Sequence, residues 1–515
     1  MKKQSFIQGA IVLMIAGLIT RFLGFFNRII LARLLGNEGI GIYMLVLPTF
    51  FLIITLSQFG LPVAITKLTA EASKAEKHHK IRKIIIISFI IITCTNMIVV
   101  SSMYFFIPFL SQFFIKDLRT TLPLYFIIFI VPIISFTSIF KAYFQGLQNM
   151  KPQSIALIME QIVRIAFVYF TVKMMIPFGI EYAVVGAFMS ILIGECVSFL
   201  YFYIQYKRQS TFKALSRKQL SFDHVKVIIK DLLYIGLPNL GSKSINAMTS
   251  FLEPIVIVFC LQIAGFQMNA ITRSYGELTG FALPLLLLPT FLTNALSISL
   301  VPSIASINDG SKHSIHFRIT QAIKISILSG IFPNTLLTLF ATPILSHMYG
   351  TSNAKTIIMM MAPFCLFLYV QTPLQSALFG LGLAKQAMYN SLIGALIKFI
   401  LIFSFSSNAQ FGIYGVVIAM CTSMVTITFL HLKSLYKSIH YKIPMQLYFK
   451  IIVLIVTFFS VTYFTKYILN NSIFILFMKF GFLGIFYFIS LLALQLISNE
   501  EWRQVLSLFK QKSTS

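Results

Sequence analysis

The chain has 515 residues, of which 57% are hydrophobic and only 11% charged, and its mean hydropathy is +0.87. A water-facing globular surface needs about 25% charged residues, so this composition excludes a soluble enzyme, a secreted disulfide scaffold and a disordered binder. It points to an all-α polytopic membrane protein, because each crossing of a hydrocarbon core about 30 Å thick takes roughly 20 apolar residues. The net charge of +27 comes from 41 Lys+Arg against 14 Asp+Glu. No basic stripe with interleaved aromatics runs through a soluble domain, so the excess reads as positive-inside bias and not as nucleic-acid binding. Cys94, Cys196, Cys260, Cys365 and Cys421 all fall within apolar runs without metal spacing, and read as small core residues.

In chain order the apolar runs predict fourteen helices. The first, 7–34, opens like a signal peptide, but it lacks a small-x-small cleavage site and is interrupted by Arg21 and Arg28, so it reads as a retained span. Seven residues are about two helical turns, so both arginines share one face, and no acid lies within a turn of either. The second span, 40–66, leads into a basic loop at 67–83. Spans 84–110, 120–146, 153–176 and 180–206 follow. The fifth holds Glu160 and Arg164 at the i,i+4 spacing that suits mutual neutralisation, and the sixth holds Glu195. After the basic linker 207–230, span 231–261 carries Lys243 and Glu253, and span 269–302 carries Arg273 and Glu277, again four apart. Spans 316–346, 354–382, 386–407 (with Lys398) and 411–435 complete a second set of six, and 446–467 and 472–497 form a final pair before the tail 498–515. With the N-terminus inside, only five loop Lys/Arg (Lys116, Arg119, Lys173, Lys355 and Lys466) fall on the far side. That asymmetry places both termini in the cytoplasm.

The chain also repeats itself. Leu47-Pro48-Thr49-Phe50 recurs as Leu288-Pro289-Thr290-Phe291, Phe144-Gln145-Gly146-Leu147 aligns with Phe379-Gly380-Leu381, and Phe178-Gly179-Ile180 recurs as Phe411-Gly412-Ile413. The register of Gly146 and Gly380 also pairs Lys151 with Lys385 and Arg164 with Lys398. The repeat divides the chain into an N-lobe (1–206), a basic cytoplasmic linker (207–230), a C-lobe (231–445), a C-terminal helix pair (446–497) and a cytoplasmic tail (498–515). Six helices per half is an even number, so both halves enter the membrane in the same direction. Such parallel repeats are a transporter architecture, with the substrate site expected between lobes near the midplane. Pro48, Pro132, Pro254, Pro289 and Pro363 fall inside spans, where they fit bending helices.

An ionisable side chain at a span centre costs roughly 2.5–3.5 kcal/mol on insertion scales, which makes it a functional candidate. The first, second, seventh and eighth spans open the two halves. A site lined by them would set Arg21, Arg28, Lys243 and Arg273 against Glu253 and Glu277. Four cations against two acids make a cationic cavity, and guanidinium groups there suit a phosphate or pyrophosphate, which they grip bidentately. Glu160, Arg164 and Lys398 are secondary candidates. Gly236-x4-Gly241-Ser242-Lys243-Ser244 approaches a phosphate-binding P-loop, but its lysine stands one place late at the start of a span. His313-x-x-His316 is a weak metal signal and reads as a solvated loop. No catalytic arrangement, cofactor motif or metal site is expected. A membrane-embedded transferase is the enzymatic alternative, and the duplicated halves argue against it.

Several words carry a family resemblance: Thr20-Arg21-Phe22-Leu23-Gly24-Phe25 with Asn27-Arg28; Gln58-Phe59-Gly60-Leu61-Pro62 with Ala64-Ile65; and Tyr143-Phe144-Gln145-Gly146 with Glu160-Gln161 and Arg164. So do Glu253-Pro254, Tyr275-Gly276-Glu277-Leu278-Thr279-Gly280-Phe281 and Asn390-Ser391-Leu392-Ile393-Gly394-Ala395. Across nearly its whole length the chain resembles the polysaccharide-transporter branch of the multidrug/oligosaccharidyl-lipid/polysaccharide exporter superfamily, relatives of the MurJ lipid II flippases. The resemblance implies fourteen helices in two lobes, with the last two forming a groove for a prenyl tail. It also implies alternating access for an undecaprenyl-diphosphate-linked sugar in the bacterial cytoplasmic membrane. The implied partners are that lipid-linked oligosaccharide, membrane lipids and a coupling cation. Two departures stand out. The MurJ pattern has Arg-Asp where this chain has Asn27-Arg28, and an arginine after the second-span proline where this chain has Leu52. The expectation is a lipid II flippase whose pyrophosphate binds Arg21, Arg28 and Arg273. A flippase for another lipid-linked glycan (capsule or teichoic acid), a cation-coupled drug exporter of the same superfamily and a scaffold for wall synthases are its rivals.

Overall fold

The computed structural model describes residues 6–208, 222–305, 307, 312–468 and 473–496, and among them every regular element is helical. The centre of the basic linker (209–221) and the tail (498–515) lie outside the described residues. Twelve segments are long and apolar enough to cross a membrane, and a helix pair bent at a short break makes thirteen. One of the twelve, Ile15–Lys74, is 60 residues long. At 1.5 Å per residue it would measure about 90 Å, three hydrocarbon cores. It is therefore too long for a single span. The division falls in α1 (Phe6–Gln58) at Gly36, whose φ of 65° and ψ of −172° interrupt the helical backbone. Glycine takes that left-handed φ at no steric cost. The fourteen spans expected therefore stand as an approximate count, against twelve to thirteen apolar segments among the described residues.

Two compact units divide the chain by contact, Met1–Phe281 with Leu401–Val416, and Ala282–Ile400 with Val417–Ser515. In the first, α1 is followed by α2 (Leu61–Lys74), α3 (His78–Phe109), α4 (Thr121–Gly146), α5 (Lys151–Met175), α6 (Ile180–Arg208), α7 (Phe222–Ile263) and α8 (Met268–Gly276). Leu61, Ile65, Ile84, Ile139, Phe144 and Phe202 lie at the centre of its apolar core. Lipid is as apolar as these side chains, so helix association in a bilayer rests on close packing, and small residues let backbones approach. The second half of α1 meets α8 in this way. A Cβ on Gly41 would stand 2.0 Å from the Thr272 carbonyl oxygen, and one on Gly276 would stand 2.7 Å from the Asn37 carbonyl oxygen. No larger residue fits either place.

A π-helical turn begun at Glu277 closes this stretch of the first unit; the second unit continues with α9 (Leu283–Leu286) and, after a turn, α10 (Thr290–Ala305). Next are α11 (Lys312–Leu339), α12 (Ala341–Tyr349), α13 (Lys355–Gly380), α14 (Ala384–Ser406), α15 (Ile413–Ile439), α16 (Met445–Ile468) and α17 (Ile473–Ala493). Helices α16 and α17 pack against α11 through Ile331, Phe340, Leu454, Phe458 and Leu483.

The repeated words keep their local roles with one exception. Gly146 and Gly380 each end a helix, α4 and α13, and Gly179 and Gly412 each take a positive φ just before the next helix begins at Ile180 or Ile413. The Leu-Pro-Thr-Phe words differ, since Pro48 sits inside continuous α1 whereas Pro289 lies in the turn that separates α9 from α10. Two sequence expectations are corrected. Cys260, Cys365 and Cys421 are buried, but Cys94 is exposed on α3 and Cys196 half-buried. His313 and His316 lie in α11 and not in a loop, and His316 Nε2 hydrogen-bonds the Ile439 carbonyl at 2.9 Å.

The α1–α8 approach yields a direct check. Gly41→Val should lower the unfolding free energy of the purified protein in detergent by about 1–3 kcal/mol, the usual cost of overpacking. A matched substitution at Gly17, where a Cβ meets nothing within 4 Å, should cost far less.

Candidate functional site

Arg21 and Arg28 project from the first half of α1, Arg21 exposed and Arg28 half-buried. Among the described residues neither makes a hydrogen bond or an ion pair. Between them Asn27 is buried with an Oδ1 that accepts no hydrogen bond, and on α5 the Oε1 of Gln161 is in the same state. Sequence reasoning quoted Asn27 and Gln161 only as parts of words; a buried amide in an apolar run was the available signal. Lys243 on α7 and Arg273 on α8 are exposed and likewise unpaired among the described residues. All four expected cations thus belong to the first unit, on helices that pack together, α1 against α7 and α1 against α8. A charge inside a span and exposed at the protein surface would have to face a water-filled cavity to escape the hydrocarbon penalty. Four such charges without protein counter-ions are suited to taking an anion.

The two acids behave differently. Glu253 on α7 is half-buried and lies within electrostatic reach of Tyr275, which is buried on α8. Glu277 opens the π-helical turn after α8, and its Oε1 accepts the Asn37 amide at 3.2 Å. The expected Arg273–Glu277 pair does not form, since Arg273 has no ion-pair partner among the described residues. The backbone between them is regular, since the Glu277 N–H bonds the Arg273 carbonyl, and the Glu277 carboxylate is met by Asn37 of α1 instead. π turns of this kind are frequent at functional sites.

Glu160 and Arg164 do pair, at 2.6 Å with Glu160 buried. In the second unit, Lys398 is half-buried with its ammonium 5.5 Å from the centre of the Phe399 ring. The buried Lys479 of α17 stands 5.6 Å from the Phe340 ring centre.

A further polar cluster escaped the sequence reading altogether. Arg119, at the start of the fourth span, grips buried Asp117 with two hydrogen bonds, Nε to Oδ1 at 2.8 Å and Nη2 to Oδ2 at 2.7 Å. Its Nη1 donates to Glu38 of α1, and Thr272 of α8 donates its hydroxyl to Asp117 Oδ2 at 2.8 Å. Four positions spread over 235 residues of sequence meet here, so local spacing could not reveal it. Asp117-x-Arg119 counted only as loop charge.

Among the described residues the chain is a helical membrane bundle whose spans hold cations without hydrogen-bond or ion-pair partners. Comparison with known proteins places it more closely. The chain belongs to the polysaccharide biosynthesis protein family, which it matches over residues 6–308. It is 42% identical over 449 residues to stage V sporulation protein B of Bacillus subtilis (strain 168), covering 87% of each chain. It is 23% identical over 421 residues to the lipid II flippase MurJ of the same organism, covering 77% of this chain and 76% of that one. Among solved structures, lipid II flippase MurJ in an inward closed conformation superposes with a TM-score of 0.66 at 17% identity, over 96% of this chain and all of the other. At that identity the likeness establishes the fold.

The paired and unpaired cations should separate in stability measurements. Arg164→Ala and Arg119→Ala each strand a buried carboxylate and should cost roughly 3–5 kcal/mol of unfolding free energy. Arg21→Ala and Lys243→Ala touch no protein partner and should change it by less than about 0.5 kcal/mol. Thermal unfolding of the four variants in detergent compares them directly.

Proposed function

We propose that the protein is a flippase that carries an undecaprenyl-diphosphate-linked cell-wall precursor, lipid II, from the inner to the outer leaflet by alternating access. The observation that carries this reading is the set of unpaired intramembrane cations Arg21, Arg28, Lys243 and Arg273 in one compact unit. A diphosphate bears the charge and the oxygen geometry that guanidinium groups grip bidentately, and a lipid-linked one reaches a membrane-embedded cavity from the bilayer. A cation-coupled drug exporter would favour an acid-lined pocket instead, and here cations outnumber acids. The likeness to the lipid II flippase MurJ of Bacillus subtilis (strain 168) supports the same reading.

The second unit offers a place for part of the prenyl tail. An apolar cavity of about 430 Å³ is lined by Leu285, Phe332 and Leu336 together with Ile344, Leu476 and Phe477. It lies beside α17, one of the two helices expected to form the tail groove.

Complementation tests the reading. In cells depleted of their own lipid II flippase, the wild-type chain should restore outer-leaflet lipid II, and Arg21→Ala should not, at equal membrane levels. Equal rescue by the Arg21→Ala and Arg28→Ala variants would remove these arginines from the mechanism. Failure of the wild type at good expression would move the assignment to a different lipid-linked glycan.

A further inference from the structure

Not all intramembrane charge in the first unit is accounted for by an anion site. Glu195 lies near the middle of α6, buried at 8% exposure. The groups facing it come from two neighbouring helices, Glu160 and Arg164 on α5 and Lys141 on α4, with the thiol of Cys196 beside it on its own helix. From α1, Tyr43 packs against Phe188 of α6 and lies within electrostatic reach of Arg164 and Arg28. Helices α5 and α6 are held close here, since a Cβ on Gly194 would stand 3.0 Å from the Glu160 carbonyl oxygen.

Within this pocket one guanidinium serves two carboxyl groups unequally. Arg164 gives Nη2 to Glu160 at 2.6 Å, while its Nε is buried and donates to nothing. Glu195 accepts no hydrogen bond among the described residues. A buried carboxyl without a donor is costly to keep as an anion, and membrane transporters relay protons through such groups. We propose that Glu195 is the proton-carrying site of this transporter. With Arg164 held by Glu160, Glu195 carries the proton. When Arg164 turns its free Nε toward Glu195, the Glu195 O–H bond breaks, the proton leaves to water and the carboxylate is taken up by the guanidinium. No other bond changes, and the net transfer is one proton per turn of the switch. A metal cation suits the place poorly. Arg164 already occupies Glu160 and repels a second cation, and no group of three or more His, Cys, Asp or Glu side chains that could hold a metal is found among the described residues.

This inference rests on the transporter reading and supplies its coupling ion, and its test needs no lipid-linked substrate. Infrared difference spectra of the full chain in lipid nanodiscs, acid minus alkaline, report protonated carboxyl groups through their C=O stretch. The expected result is a carboxyl band in the wild type that disappears in Glu195→Gln and survives in Glu253→Gln. A band that persists in folded Glu195→Gln overturns the proposal. If Glu195→Gln does not fold, Glu195→Asp keeps the carboxyl and should shift the band in frequency; an unshifted band overturns the proposal equally. A band lost in Glu195→Gln alongside failed lipid II complementation would uphold the proton site and reject the lipid II assignment alone.

Discussion

An ion inside a hydrocarbon slab must find a protein partner, water or a ligand, and the way this chain meets that demand organises the rest of it. Glu160 and Arg164 find each other, and Asp117 finds Arg119 and Thr272. Those charges are structural in the plain sense that removing one strands another. Arg21, Arg28, Lys243 and Arg273 make no hydrogen bond or ion pair among the described residues, although each bears the same insertion penalty. Four such cations need water or an anion to complete them, and the proposed diphosphate site rests on that need.

The helices that carry these cations are set by backbone contact. Lipid supplies no hydrophobic drive between helices, so α1 and α8 lie together because Gly41 and Gly276 bring main chain against main chain. The same approach places Asn37 where it holds Glu277 and Thr272 where it reaches Asp117. Packing and polar contacts therefore reinforce one another along a single helix pair. Gly36 contributes at the other end of the same stretch by ending the first span, so that Glu38 meets Arg119 on the far side of the kink.

Regular helical spacing made part of the site legible in advance. The Glu160–Arg164 pair followed from i,i+4 geometry on an unbroken helix, and the isolation of Arg21 and Arg28 followed from the lack of an acid within a turn. The same spacing did not pair Arg273 with Glu277, whose carboxylate meets the Asn37 amide from 240 residues away. Proline was an equally uneven guide. Pro48 is accommodated inside α1 and Pro289 lies in a helix break, although both stand in the same four-residue word. Whether a membrane helix absorbs a proline depends on what surrounds the freed backbone groups, and that is not written in the word.

By itself, then, the sequence determined the membrane setting and the approximate number of spans, because composition and apolar run length answer directly to bilayer thickness. It also carried the repeat, since the Phe-Gly-Ile turns and the helix-ending glycines need particular residues. Tertiary structure alone decided which charges are paired, the meeting of Asp117, Arg119, Glu38 and Thr272, and the pocket in which Glu195 meets no hydrogen-bond donor among the described residues. Those outcomes turn on distances between helices far apart in the chain, which close packing sets and local spacing does not encode.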